Sequence, residues 1–154
     1  KLDLRVETLP GMGYFCRDFK GQSIAGTDKP WLFTSGCQGL LRCEIPLTDG
    51  ESGPPALYTV RMGFSAMPGD HAGQRVFDVK LQGKVVMEGF DIAAAAGGAD
   101  KAVVKEFTGI RAQNALVLEL IAKTANPEAS QAPIINCIEV IKEDAPSVAR
   151  ASSP

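Results

Sequence analysis

The sequence has 154 residues, of which 45% are hydrophobic and 22% are charged, and its formal net charge is −2. A chain of this length forms one domain and buries enough surface to fold without a metal ion or a disulfide. Lysines and arginines are scattered, which argues against a nucleic-acid partner. No apolar run approaches the roughly 20 residues that span a bilayer.

Apolar and polar residues alternate along most of the chain, and this period of two predicts β-strands. In LYTVRMGF the large apolar residues point one way, while Thr59 and Arg61 point the other. In RVFDVKLQ, Phe77, Val79 and Leu81 share one face. The predicted strands cover residues 2–6, 40–47, 57–64, 75–82, 84–92, 102–110, 116–120 and 134–141.

The segments between the strands have the composition of turns and loops. Gly83 predicts a tight hairpin between two strands, because glycine reaches a positive φ without steric cost. Loops are predicted at 49–55, 67–74 and 123–133, and one helical turn at 93–100. Residues 1–142 are interpreted as one domain and 143–154, which lack periodicity, as a linker or disordered tail.

Short strands separated by turn signals, with almost no helical periodicity, predict an all-β fold. The architecture that this pattern favours is an antiparallel β-sandwich of the jelly-roll type with at most one or two short helical turns.

Four cysteines allow two interpretations. Pairing Cys37 with Cys43 would close a short loop, and pairing Cys16 with Cys137 would join the first and last strands. The alternative is four reduced cysteines that act as small hydrophobic residues. No CxxC pair occurs, and with a single histidine in the chain this argues against a structural zinc site.

Few residues offer enzymatic chemistry. His71 is the only histidine, it lies in a predicted loop, and no serine has a GxSxG context, so a hydrolase of the serine type is unsupported. A paired-carboxylate glycosidase would need two acids facing each other across a cleft. The alternation of side chains along the strands instead directs most of the strand acids toward solvent. The strand acids are Asp78, Asp91, Glu106, Glu119 and Glu139.

No cofactor is predicted. A structural calcium ion would need oxygen ligands from loops, and the loop acids available for it are Asp18, Asp28 and Asp49. No dedicated calcium-binding motif contains them.

Three stretches carry a resemblance to a known family. They are YTVRMGF at 58–64, GQRVFDVKLQGKVVMEGFDI at 73–92 and PIINCIEVI at 133–141, in this order. Together they resemble a malectin-like domain. The resemblance implies a β-sandwich in a larger extracytoplasmic protein, secreted, periplasmic or on the cell surface, with a non-catalytic role in carbohydrate binding. The short apolar runs, in turn, predict no membrane insertion.

The resemblance places the family's binding aromatics at positions that here hold other residues. The loop after YTVRMGF supplies Ala66, Met67 and Pro68, another aromatic position falls near Gly36, and an aspartate position falls near Gln131.

The ligand-binding residues are therefore predicted from side-chain chemistry on the loops. Aromatic rings cover the apolar face of a sugar, while polar groups bind its hydroxyls. The candidates are Tyr14 and Trp31 for stacking, Asp70 and His71 for hydroxyl contacts, and Gln131 for an amide contact.

Two functions remain open. One is a carbohydrate-binding module for neutral oligosaccharides at the sandwich edge. The other is a structural or protein-interaction sandwich that has lost the sugar site. An exposed Trp31 beside Tyr14 favours the first, whereas a Trp31 that fills the end of the core favours the second.

Overall fold

The structure is a computed structural model, which describes residues 3–18, 21 and 23–145. The alternating segments form antiparallel strands, as their period of two predicts. The strands are β1 (Arg5–Thr8), β2 (Tyr14–Cys16), β3 (Ser35–Gln38), β4 (Leu40–Pro46), β5 (Ala56–Ser65), β6 (Val76–Leu81), β7 (Lys84–Asp91), β8 (Ala102–Ala112), β9 (Ala115–Ala122), β10 (Ile134–Ile135) and β11 (Cys137–Lys142).

The strands build a sandwich, which confirms the predicted fold class. One layer is a five-stranded sheet in the order β1-β4-β9-β6-β7. The facing strands form two three-stranded sheets, β11-β5-β8 and β10-β3-β2, and only Asn136 separates β10 from β11. The helical content is one short α-helix, α1 (Ile92–Ala96), and one 3₁₀ turn (Pro30–Phe33) among the described residues.

The core lies between the layers and consists of the apolar residues that alternation predicted to share a face. Val60, Met62 and Phe64 are fully buried on β5, and Phe77 is fully buried on β6. The Phe64 and Phe77 rings pack with Phe90 in tilted and edge-on pairs. Burying each such side chain contributes about 1.5–3 kcal/mol, so this cluster holds the two layers together.

The hairpin between β6 and β7 turns at Gln82 and Gly83. Both residues have positive φ angles, of 51° and 76°, as a tight hairpin turn requires. The Gln82 side chain accepts a hydrogen bond from Val117 N at 2.7 Å and donates one to Ala115 O at 3.3 Å. The turn is therefore fastened to the start of β9, and the predicted hairpin is confirmed.

Both β7 and β8 are edge strands, and each contains a glycine in the left-handed region within a break of register. Gly89 has a φ of 59° and Gly109 a φ of 68°. Asp78 accepts a hydrogen bond from Gly89 N at 2.7 Å, and Glu143 accepts one from Gly109 N at 2.7 Å. The two irregular positions are thus bound by carboxylates.

All four cysteines, each within the described residues, are free thiols, so both predicted disulfides are wrong. Strand register explains the result. Cys16 lies opposite Ser35 in the pair of β2 with β3, whereas Cys137 lies in β11. Cys37 and Cys43 belong to strands of different layers. The structure therefore agrees with the alternative interpretation, in which the four cysteines are reduced and act as small hydrophobic residues.

Some short elements were not predicted, and part of the predicted tail lies outside the described residues. The short strands β2 and β3 and the 3₁₀ turn were not predicted, because GYFC and SGCQ are too short to show a period. The predicted tail 143–154 lies outside the described residues from position 146 onward. Within the described ranges, no helix is long and apolar enough to cross a membrane.

Candidate functional site

Trp31 lies on the 3₁₀ turn between β2 and β3, and 54% of its surface is exposed. Pro30 starts the turn, and Phe33, only 2% exposed, fixes its other end in the interior. The Thr34 hydroxyl donates to Trp31 O at 3.0 Å. The indole is therefore presented to solvent from a well-fixed segment, and it does not fill the core.

Asn136 connects this turn to the neighbouring strands. Its amide nitrogen donates to Phe33 O at 3.1 Å and to Ser35 O at 2.9 Å. Its amide oxygen accepts from Ser65 N at 2.7 Å. One side chain thus binds the backbone at three points, which fixes the 3₁₀ turn against the ends of β5 and β10.

A groove of about 360 Å³ runs beside the 3₁₀ turn on the outer face of the sheet β11-β5-β8. Leu32 and Phe33 form its apolar side, and Asp28, Lys29 and Arg61 contribute charge. Its complete lining is Thr27, Asp28, Lys29, Leu32, Phe33, Arg61, Gly63, Val104, Cys137, Ile138 and Glu139. The groove thus combines apolar surface with hydrogen-bond donors and acceptors.

Arg61 is the central charge of the groove. In the strand register it lies directly opposite Glu106 on one side and Glu139 on the other. Its guanidinium is bonded to the Glu106 carboxylate and lies 3.3 Å from a Glu139 oxygen. The hydrogen bond to Glu106, followed by the one to Glu139, raises the pKa of Arg61 above its ordinary value. The guanidinium is held in a fixed position between two acceptors.

The floor of the groove depends on Gly63. A Cβ at this position would overlap the Cys137 sulfur and lie 2.9 Å from Phe33 Cε1. Glycine therefore lets the Phe33 ring lie directly on the sheet backbone. Burial raises the pKa of the Cys137 thiol beneath the ring.

Asp70 forms a structural contact with Arg75. Both side chains are nearly inaccessible, with 7% and 4% of their surfaces exposed, and Asp70 Oδ2 lies 3.0 Å from Arg75 Nε. The guanidinium also donates to Ala129 O at 2.9 Å and to Ala132 O. Arg75 therefore joins the loop after β5 to the loop before β10.

The other loop candidates lie near this contact. His71 is exposed, and its Nδ1 lies 3.1 Å from Ala72 O. Gln131 Oε1 accepts from Glu128 N at 3.2 Å. The structure thus brings the loops of Asp70, His71 and Gln131 together through Arg75.

Tyr14 belongs to a different surface. It is 78% exposed and lines an almost entirely apolar slot of about 250 Å³ between the two layers, beside β1. Cys37, Cys43 and Cys137 also line this slot. Burial, then the charge of Cys43, raises the pKa of Cys37, so this thiol is a weak nucleophile. No ring contact between Tyr14 and Trp31 occurs among the described residues.

Four of the five strand carboxylates considered for a glycosidase pair have other partners. Asp78 accepts from Lys123 Nζ at 2.8 Å and from Gly89 N. Asp91 caps α1 by accepting from Ala94 N at 3.0 Å, while Glu106 and Glu139 bind Arg61. Among the described residues, no group of three or more histidine, cysteine or acidic side chains could hold a metal ion.

Three residues with central roles were not predicted. Arg61 lies at an outward strand position. The usable signal was that Glu106 and Glu139 also lie at outward positions of predicted strands, where they could pair with it across the sheet. Arg75 gave no signal, because its burial depends on loops that meet only in the folded chain. Asn136 interrupts the apolar run IINCI, and such an interruption is a usable sign of a backbone-binding side chain.

Solved structures similar to this chain come from an enzyme and from plant proteins. A Bacteroides uniformis β-glucuronidase is 13% identical with a TM-score of 0.66, and the match covers 90% of this chain but 14% of that one. The ANXUR1 extracellular domain from Arabidopsis thaliana is 12% identical with a TM-score of 0.71, over 91% of this chain and 40% of that one.

A third structure contains the plant peptide RALF23 in complex with FER and LLG2. Its matching chain is 16% identical with a TM-score of 0.67, over 89% of this chain and 40% of that one. At these identities the similarity shows the fold, and the chain spans less than half the length of each of these proteins.

Curated proteins gave no significant match. The sequence profile of the malectin domain, in contrast, matches residues 17–146, which is most of the chain. The sandwich and this match agree with the resemblance carried by YTVRMGF, GQRVFDVKLQGKVVMEGFDI and PIINCIEVI. The chain belongs to the malectin domain family.

Proposed function

We propose that this domain is a non-catalytic carbohydrate-binding module of a larger extracytoplasmic protein, and that it binds neutral oligosaccharide beside Trp31. The observation that carries the proposal is the exposed indole of Trp31 on a fixed 3₁₀ turn, whose next two residues, Leu32 and Phe33, line a groove of mixed apolar and polar surface. Aromatic faces stack on the C–H faces of sugar rings, and neighbouring polar groups bind the hydroxyls.

The charges of the groove favour a neutral ligand. The lining contains two cations, Lys29 and Arg61, and two anions, Asp28 and Glu139, so its charges cancel. Arg61 already has two carboxylate partners, which removes the local attraction that an acidic sugar would need. Carboxylate oxygens and guanidinium N–H groups can instead accept from and donate to neutral hydroxyls.

The comparisons support a role as one module among several. The match covers 14% of the β-glucuronidase and 40% of the ANXUR1 chain, so this fold occurs as a part of longer proteins. One of these is described as an extracellular domain, which supports an extracytoplasmic location here. The proposal of a non-catalytic role rests on four strand carboxylates, Asp78, Asp91, Glu106 and Glu139, which have partners of their own.

The test uses Trp31 as its own reporter, since the chain has a single tryptophan. Titration with neutral gluco-oligosaccharides should give a saturable change in fluorescence, and calorimetry should detect the same binding. W31A should abolish the calorimetric signal without lowering the unfolding temperature. Y14A is the matched control, because Tyr14 is also an exposed aromatic residue, at 78% against 54% for Trp31, but lines the other slot. It should keep wild-type affinity. No saturable response to any neutral oligosaccharide would reject the proposal.

A structural or protein-interaction sandwich is the second candidate. The observation in its favour is the apolar slot at Tyr14, which offers few polar groups to a sugar. Asp70 also binds Arg75, so this predicted hydroxyl contact already has a partner. A folded domain without any response to sugars would favour this second function.

A further inference from the structure

We propose that two copies of this chain associate through their β1 strands, and this inference goes beyond sugar binding. β1 is an edge of the five-stranded sheet and pairs only with β4 among the described residues. An unpaired edge offers a row of N–H and C=O groups to another strand. Leu4 and Val6, beside this edge, are 50% and 49% exposed.

β1 lacks the protection that the edges β7 and β8 have. Those strands carry left-handed glycines whose N–H groups are bound by Asp78 and Glu143, and such irregularities obstruct pairing with another strand. Arg5–Thr8 contains no glycine, no proline and no residue with a positive φ, and its register with β4 shifts only after Glu7. The β1 edge is therefore regular from Arg5 to Glu7, and it is open.

The charges of β1 identify a second copy as the partner. Arg5 and Glu7 flank Val6 and point to the same face, since side chains alternate along a strand. When two β1 strands pair antiparallel about a two-fold axis at Val6, Arg5 of each copy lies opposite Glu7 of the other. Both cross-strand pairs are then of opposite charge, which is the self-complementary pattern of a two-fold interface.

The same arrangement covers apolar surface. Val6 lies opposite the buried Cys43 and therefore faces the layer interior, where Leu4 and Val6 line the apolar slot beside Tyr14. Pairing about Val6 places the two Val6 side chains next to each other and closes the mouth of each slot. A charged or sugar-like partner would leave these apolar side chains uncovered.

The test is sedimentation velocity over a concentration series, with charge reversals at the strand. The wild type should show a reversible monomer–dimer equilibrium. R5E and E7R should each weaken self-association about tenfold, since two cross-strand pairs change from attraction to repulsion together. An equimolar mixture of R5E and E7R should associate again. In that mixed dimer the strand of one variant carries only acidic side chains at these two positions and the strand of the other only basic ones, so both cross-strand pairs are attractive.

Several results would overturn the inference. They are a wild type that stays monomeric at every concentration, single variants that dimerise as well as the wild type, and a mixture that fails to associate. Unfolding temperatures of both variants serve as the folding control, since Arg5 and Glu7 are exposed and the ion pair of Arg5 with Glu44, at 3.8 Å, contributes little. The tryptophan titration of R5E should match that of the wild type, so failure of the dimer and failure of sugar binding are separate outcomes.

Discussion

Replacing Asp70 by asparagine should destabilise the domain by about 3–5 kcal/mol, because it leaves the buried Arg75 guanidinium without its counter-charge. The geometry supports the upper part of this range. Arg75 is 4% exposed on its side chain, and its Nε and Nη2 lie 3.0 and 3.3 Å from the two Asp70 oxygens. For a chain of this length the unfolding temperature should fall by roughly 10 °C.

The double variant separates the ion pair from the other contacts of Arg75. R75M removes the charge but leaves the buried Ala132 O without its donor, whereas Ala129 O keeps a hydrogen bond from Gln38 Nε2. An unpaired buried carbonyl costs about 1–3 kcal/mol. D70N/R75M has no uncompensated charge. Its destabilisation should therefore be smaller than the sum of the two single variants, by about 1–3 kcal/mol.

The assay is urea-induced unfolding followed by circular dichroism, together with calorimetric sugar titration of each variant. D49N is the matched control, because Asp49 is an exposed loop carboxylate, and it should unfold like the wild type. The reasoning is refuted if D70N is as stable as the wild type. A D70N variant of normal stability that binds sugar more weakly would instead support the predicted hydroxyl contact of Asp70.

Three further outcomes are expected. The hydrogen bond from Lys123, then that from Gly89 N, lowers the pKa of Asp78. Its stabilising contribution is therefore complete above the unfolded-state pKa of about 4 and is lost as the pH falls through the lower folded-state pKa. Urea unfolding of D78N should show a shallower loss of stability below about pH 4, and an unchanged slope would contradict this. G63A should cost about 1–3 kcal/mol in thermal unfolding, because its Cβ overlaps Cys137, and an unshifted melting curve would count against the tight floor of the groove. In the native protein a thiol reagent should label the exposed Cys16 well before Cys137, whose pKa burial raises, and equal labelling rates would argue against that burial.

The fold could be predicted because its signal is local. Val60 and Val79 each lie between two polar residues, and this period of two predicts that one face of the strand is buried. Gly83 marked the hairpin for the same reason, since few other residues tolerate its φ. The disulfides could not be predicted, because whether two cysteines meet depends on the register and layer of distant strands.

The candidate site could be predicted only in part. Trp31 was chosen as a candidate for its aromatic ring, and the structure shows that ring exposed, while its role in binding stays a prediction. Arg61 and Glu139, which line the groove beside the 3₁₀ turn, could not be found, because residues 78 positions apart become neighbours only when β5 pairs with β11. Tyr14 and Trp31 are close in sequence and chemistry, yet Tyr14 lines the apolar slot beside β1, whereas Trp31 lies on the 3₁₀ turn whose Leu32 and Phe33 line the groove.

The order of pairing has a consequence for synthesis on the ribosome. Among the described strands, β6 and β7 alone are neighbours in both sequence and sheet through a tight turn. β4 must wait for β9, and β5 must wait for both β8 and β11. The emerging polypeptide can therefore form one hairpin early but cannot complete its interior until Lys142 has left the exit tunnel, which makes folding late and slow compared with helical proteins of similar size.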